Sequence, residues 1–119
     1  MHITFIKPTL GCLDDGDKFV DEARMEPLSL ALLAGMTPRG VDCSLIDDRI
    51  DQINYDESTD LVAINIETFT ARRAYEISGE YRARGIPVIM GGMHATLIPE
   101  EVAGYADSVF TGDAESIWP

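Results

Sequence analysis

The chain has 119 residues, 45% of them hydrophobic, which is enough for one compact domain with a usable core and not for two. Nine Lys and Arg stand against 21 Asp and Glu, and the formal net charge of -12 repels nucleic-acid phosphates and anionic lipid alike, so neither is an expected partner. The amino terminus has too short an apolar core for a signal peptide and no apolar run is long enough to span a bilayer, so the expectation is a cytoplasmic protein; Cys12 and Cys43, far apart and in no metal-ligand spacing, read as reduced, ordinary thiols.

Strand one is predicted over residues 3–6, which are β-branched and aromatic-rich, with Lys7-Pro8 closing it. Residues 9–25 follow as a long loop carrying Gly11, Gly16, Asp14, Asp15, Asp17, Asp21 and Glu22, with little to bury. A loop of that length is either functional or disordered, and a functional one would be a lid over the sheet edge. Pro27 suits the first turn of a helix, where Leu28, Leu30, Leu32, Leu33 and Met36 with Ala31 and Ala34 leave hardly a polar position. That pattern predicts a helix buried nearly all round.

Pro38 and Gly40 stop the helix, and residues 41–46 form strand two, ending at Asp47-Asp48. Residues 50–60 are a polar connection with weak helical promise, after which residues 61–66 read as a central strand by their apolar character. Asn65 is the exception within it, and a polar group there needs a partner in the protein or in a ligand. Thr68 or Thr70 can cap the next helix, whose inner face is Ala71, Ala74, Ile77, Ser78 and Tyr81. Arg72, Arg73, Glu76, Glu80 and Arg84 make the other face, read as solvated, on which Arg72 to Glu76 and Glu80 to Arg84 are spaced for ion pairs worth roughly 0.2–0.5 kcal/mol each.

Residues 86–96 turn from an apolar run into Gly91-Gly92 and then into a helix start at Met93-His94. Glycines at the carboxyl end of a buried strand either make a turn or let a bulky group approach the backbone. Pro99-Glu100-Glu101 begins a short third helix, and residues 108–111 make a fifth strand ending at Gly112. The alternation predicts an α/β, flavodoxin-like (Rossmann-like) three-layer fold with a five-stranded parallel sheet in the order 2-1-3-4-5. Its switch point lies between strands one and three, so the loop after Pro8, the turn at residues 65–70 and Gly91-Gly92 should converge there. The closing helix has barely begun at residues 115–119, which reads as a piece of a longer protein whose Ile117 and Trp118 would promote self-association.

Catalytic constellations are poor. There is no nucleophile elbow and no phosphate loop with a Lys. A phosphoryl-accepting receiver domain needs an acid at the end of strand three, where this chain has Asn65-Ile66-Glu67. A flavin mononucleotide module needs a hydroxyl-rich loop after strand one, where only Thr9 is present.

Four stretches carry a resemblance to a known family: Glu26-Pro27-Leu28-Ser29-Leu30-Ala31, Thr70-Ala71-Arg72-Arg73-Ala74-Tyr75-Glu76-Ile77, Gly91-Gly92-Met93-His94-Ala95-Thr96 with Pro99-Glu100-Glu101, and Ala106-Asp107 with Gly112-Asp113-Ala114-Glu115. In order and spacing they resemble the amino-terminal domain of cobalamin-binding radical SAM proteins. The resemblance implies that residues 1–119 are one cobalamin (vitamin B12) domain of a longer protein. A following domain would hold a 4Fe-4S iron-sulfur cluster and S-adenosylmethionine.

It also implies a cofactor-binding set in which the nucleotide tail passes Gly91 and Gly92, with Met93 and His94 beyond, while Asn65 and Glu67 fall where the wider cobalamin-binding fold has a Ser and a Leu, and Thr68 and Thr70 match hydroxyl positions in the radical SAM members. Thr9 and Leu10 would come from the first loop, and Gly112 would flank the base. Glu67 is a departure, since a carboxylate beside a phosphate is unfavourable unless it points away. A second departure is the missing Asp-x-His-x-x-Gly after strand one: residues 8–26 contain no His, so no imidazole from that loop would ligate cobalt. His94 is read as a tail contact or a structural hydrogen bond, and no metal ligand is assigned. The chain lacks Cys-x-x-x-Cys-x-x-Cys, so by itself it is not expected to be catalytic. The intact enzyme would be of methyltransferase type. Two alternatives stay open, a degenerate scaffold domain that binds no cobalamin and a flavin- or nucleotide-binding module.

Overall fold

The computed structural model describes residues 1–8, 28–48 and 52–112. Its centre is a five-stranded sheet in the order β2-β1-β3-β4-β5, built from β1 (His2–Lys7), β2 (Asp42–Asp47), β3 (Leu61–Asn65), β4 (Val88–Gly91) and β5 (Ser108–Val109). All four neighbouring pairs are parallel. The fold class and strand order read from the sequence are those observed. Helix α1 (Leu28–Met36) joins β1 to β2, α2 (Ala71–Ala83) joins β3 to β4, and α3 (Met93–Leu97) with α4 (Pro99–Ala103) joins β4 to β5. The single helix expected in the last connection is thus two short ones, broken at Ile98, whose φ of -133° is non-helical and precedes Pro99 at the first helical position.

Side chains alternate between the two faces of each strand, and the sequence fills both. On one face Ile6, Val62, Ile64, Ile66, Val88 and Met90 pack with Ala74, Ile77 and Tyr81 of α2 and Val102 of α4. On the other face Ile3, Phe5 and Ala63 pack with Leu30 and Leu33 of α1, bordered by Leu61, Ile89 and Phe110. Full burial of each large apolar side chain contributes roughly 1.5–3 kcal/mol, so the larger cluster dominates stability. Tyr81, fully buried, meets Tyr55 edge-on with centroids 5.1 Å apart, which brings the polar connection before β3 onto the α2 face.

The expectation that α1 is buried all round is not met. Leu30 and Leu33 are buried, whereas Leu32 is 49% exposed. Among the described residues the sheet covers one side of this helix, so an all-apolar sequence buries only the stripe that faces β1 and β2. Leu45 on β2, in register with Phe5, is exposed on the same face. The predicted loop at residues 9–25, with Thr9 and Leu10, lies outside the described residues, as do Ile117 and Trp118 and the self-association expected of them. No helix among the described residues is long and apolar enough to cross a membrane.

Candidate functional site

The carboxyl end of the sheet gathers most of the residues singled out in the sequence. Lys7 pairs in register with Asp47, Ile6 with Ile64 one step before, and Asn65 with Gly91. Lys7, Asn65 and Gly91 therefore share the last row of the sheet. By strand alternation from Phe5, Ala63 and Ile89 they belong to the face that carries α1. Phe110 borders the same corner: a Cβ placed on Gly91 would lie 3.5 Å from the Phe110 Cβ, an ordinary contact.

Glu67 follows this row. Its carboxylate accepts from Lys7 Nζ at 3.2 Å, and the Lys7 side chain is only 11% exposed. The carboxylate that looked unfavourable beside a phosphate is thus offset by a cation 60 residues earlier. The Glu67 N–H donates to Thr70 Oγ1 at 3.0 Å, and the Thr70 N–H donates back to the Glu67 carbonyl at 3.0 Å. This closes the 3-10 turn Thr68–Thr70 that opens α2, and it buries Thr70. Thr68 is exposed at the rim.

The two glycines do different work. Gly92 has φ +104°, and a Cβ there would fall on Asn65 Oδ1 and lie 2.7 Å from the Ile66 carbonyl oxygen. Its lack of a side chain is therefore required by the chain's own packing against the end of β3. Of the two reasons drawn from the sequence, a turn or room for an approaching group, the contacts at this position speak for the chain's own close turn. The close approach is sealed by Ile66 N–H to the Gly91 carbonyl at 2.8 Å and His94 N–H to the Ile66 carbonyl at 3.2 Å.

His94 is 4% exposed, with Nδ1 3.3 Å from Thr68 Oγ1 and Nε2 2.8 Å from Glu101 Oε2, so both ring nitrogens are engaged inside the protein. Glu101 also accepts from the Tyr75 hydroxyl at 2.7 Å. The Tyr75 hydrogen bond, with that of His94 second, holds the Glu101 carboxyl below its ordinary range, while burial and the same carboxylate push Tyr75 up. His2, the other histidine, bonds Ser44 Oγ at 2.8 Å near the amino end of the sheet. Beyond the glycines, Met93 and Leu97 lie one turn apart on α3 and are 64% and 65% exposed. Thr96 Oγ1 donates to the Gly92 carbonyl at 2.9 Å and accepts from the Gly112 N–H at 2.9 Å, so Gly112, at φ +72°, is tied to the α3 turn.

Asn65, Glu67, Thr68, Thr70, Gly91, Gly92, Met93, His94 and Gly112 are thereby joined through the ends of β3, β4 and β5, while Thr9 and Leu10 fall outside the described residues. Three contributors had not been singled out. Lys7 had read only as a strand terminator, although a Lys ending a buried strand is itself a signal. Thr96 and Phe110 carried no signal beyond their place after the glycines and after β5. Arg73 is a further correction: it is not on a merely solvated face, because it forks onto Asp48, which is fully buried, with contacts of 2.8 and 3.2 Å. Glu76 pairs with Arg73 at 3.4 Å, and Glu80 with Arg84 at 2.7 Å as its spacing predicts. Among the described residues no group of three or more His, Cys, Asp or Glu could hold a metal ion.

Residues 19–119 match the B12 binding domain family. Two methyltransferases of Chlorobaculum tepidum are similar in sequence. Bacteriochlorophyllide d C-8(2)-methyltransferase is 40% identical over 102 residues, covering 82% of this chain and 23% of that protein. Bacteriochlorophyllide d C-12(1)-methyltransferase is 36% identical over 94 residues, covering 77% of this chain and 21% of that protein. The chain thus spans less than a quarter of the length of either relative. No solved structure matches. The match runs through every described element from α1 onward, and the chain belongs to the B12-binding domain family.

Proposed function

We propose that this chain is the cobalamin-binding module of a radical SAM protein of methyltransferase type, holding the nucleotide tail at the carboxyl edge of the sheet. The observation that carries the proposal is the carboxyl end of the sheet, where Asn65 and Gly91 are side by side in the last row and the exposed Met93 and Leu97 of α3 follow directly after Gly92 in the chain. Such an edge suits a ligand with a narrow polar tail and a broad apolar ring. Asn65 brings a polar amide to the row, Gly91 leaves the edge without a side chain, and Met93 and Leu97 give the ring an apolar surface that excludes water. Thr68, Gly112 and the first-loop residues Thr9 and Leu10 complete the proposed set. Glu67, Thr70, Gly92 and His94 shape it through contacts within the protein.

Cobalamin, when bound, supplies a cobalt centre that accepts and passes on a methyl group. This chain offers that cobalt no histidine from the first loop, and both nitrogens of His94 are engaged elsewhere. The module's partner in this proposal is a radical SAM domain with its 4Fe-4S cluster and S-adenosylmethionine, for which this chain has no cysteine motif. The names of both relatives make a bacteriochlorophyllide the first substrate to test on a protein that contains the module. The second reading, a scaffold that binds no cofactor, draws support from Gly92, whose need for glycine the protein's own packing explains.

A visible-absorption titration with hydroxocobalamin separates the two. The expected result is a saturable shift towards the base-off spectrum, weakened roughly tenfold or more in a Met93→Asp/Leu97→Asp variant, since covering even half of two large apolar side chains is worth more than about 1.4 kcal/mol. Absence of any shift in the unmodified chain would leave the scaffold reading. Gly91→Ala is the companion probe at the tail, because its methyl group makes only an ordinary contact with Phe110.

A further inference from the structure

We infer that Lys7 is the residue that recognises the phosphodiester of the cofactor tail, sharing its ammonium between that phosphate and Glu67. The inference rests on the cobalamin reading and adds to it a specificity-determining residue. The electrostatics require such a residue: a chain of net charge -12 repels an anionic group unless a local cation receives it.

Among the described residues two buried or half-buried cations stand at the carboxyl edge, Lys7 and Arg73. Arg73 is committed, since its guanidinium forks onto the buried Asp48 and reaches Glu76 as well. Among the described residues the Lys7 ammonium makes one ion pair, to Glu67 Oε1 at 3.2 Å. An ammonium carries three donors, so one contact leaves two for another acceptor. Its position is also the required one. Lys7 lies in the same terminal row as Asn65 and Gly91, on the α1 face, at the crevice between β1 and β3 where the strand order reverses.

Glu67 then has a role of its own. It holds the ammonium in place when no phosphate is present and opposes the phosphate when one arrives, so the pair lowers affinity for the tail relative to an unopposed lysine. A carboxylate at this position makes binding depend on the cation beside it. That is why Lys7 and Glu67 must be read together.

The test is a titration of the chain and of Lys7→Met, Lys7→Arg and Glu67→Gln variants with three ligands: cobalamin, cobinamide phosphate, which keeps a phosphate and lacks the base, and cobinamide, which lacks both. Lys7→Met is expected to lose roughly ten- to a hundredfold in affinity for the two phosphate-bearing ligands, the range for a hydrogen bond to a charged group, and to bind cobinamide unchanged. Lys7→Arg should stay within a few-fold of the unmodified chain, and Glu67→Gln should tighten the phosphate-bearing ligands alone. If Lys7→Met does not fold, Glu67→Gln decides by the same selectivity. An equal loss on all three ligands, or none, overturns the inference while leaving the cofactor reading intact. An unmodified chain that binds none of the three overturns both.

Discussion

The face of the sheet under α2 and α4 and the face under α1 are built from similarly apolar strands but finished differently. Under α2 and α4, buried residues from three strands and three helices form a continuous cluster, and the polar groups above it are locked: Asp48 to Arg73, His94 to Glu101 and Tyr75 to Glu101. Under α1, fewer of the described residues are buried, Leu32 and Leu45 are exposed, and the row that ends the sheet carries Lys7, Asn65 and Gly91. Among the described residues burial is concentrated on one face, while the terminal row of Lys7, Asn65 and Gly91 lies on the other. A change that unfolds the chain and a change in that row should therefore map to opposite sides of the same sheet.

The comparison breaks first at Arg73. Arg73→Ala leaves the carboxylate of Asp48 buried without its guanidinium, and the expected loss is about 3–5 kcal/mol in urea unfolding. A loss below about 1 kcal/mol would show that the α2 face is not locked by this pair.

The next effect is alkaline. Burial, with Tyr55 nearby as a smaller cause, pushes the Tyr81 hydroxyl from 10.0 up to about 12. A folded value raised above the unfolded one means stability fully present below pH 10.0 and lost as pH climbs towards about 12. The expected loss is roughly 2–3 kcal/mol across that window, and Tyr81→Phe should abolish most of it in thermal melts taken as a function of pH. Tyr55, also raised chiefly by burial, contributes in the same direction.

The smallest effect sharpens the contrast from the other side. Leu45→Thr, on an exposed position of the α1 face, should change stability by no more than about 0.5 kcal/mol in the same unfolding experiment.

Much of this architecture was legible in the sequence because strand periodicity and turn residues act locally. The five strands appeared within a residue or two of their observed bounds, and the glycine pair marked the correct end of β4. What escaped was every feature whose partner lies far along the chain. Arg73 looked solvated because helical spacing compares it only with its own helix, while Asp48 sits 25 residues earlier. Lys7 looked like a strand end because Glu67 is 60 residues away. Gly92 was recognised as a glycine position, but the atoms that would exclude its side chain belong to Asn65 and Ile66, well before it in the chain at the end of β3. Helix α1 misled in the opposite way: composition told how apolar it is, but not how many neighbours would cover it.

The strand order has a kinetic consequence. β3, α2 and β4 are contiguous in sequence and pair directly, whereas β1 joins β3 only by bridging from Ile3 to Leu61. Closing the shorter segment loses less chain entropy, so the β3–α2–β4 unit is expected to assemble early and β1 to dock on it late. Substitutions in β3, α2 or β4 should then slow folding, while those at Lys7 should chiefly speed unfolding. Lys7, the member of that row proposed to meet the phosphate, would be the last part of the sheet to join and the first to open.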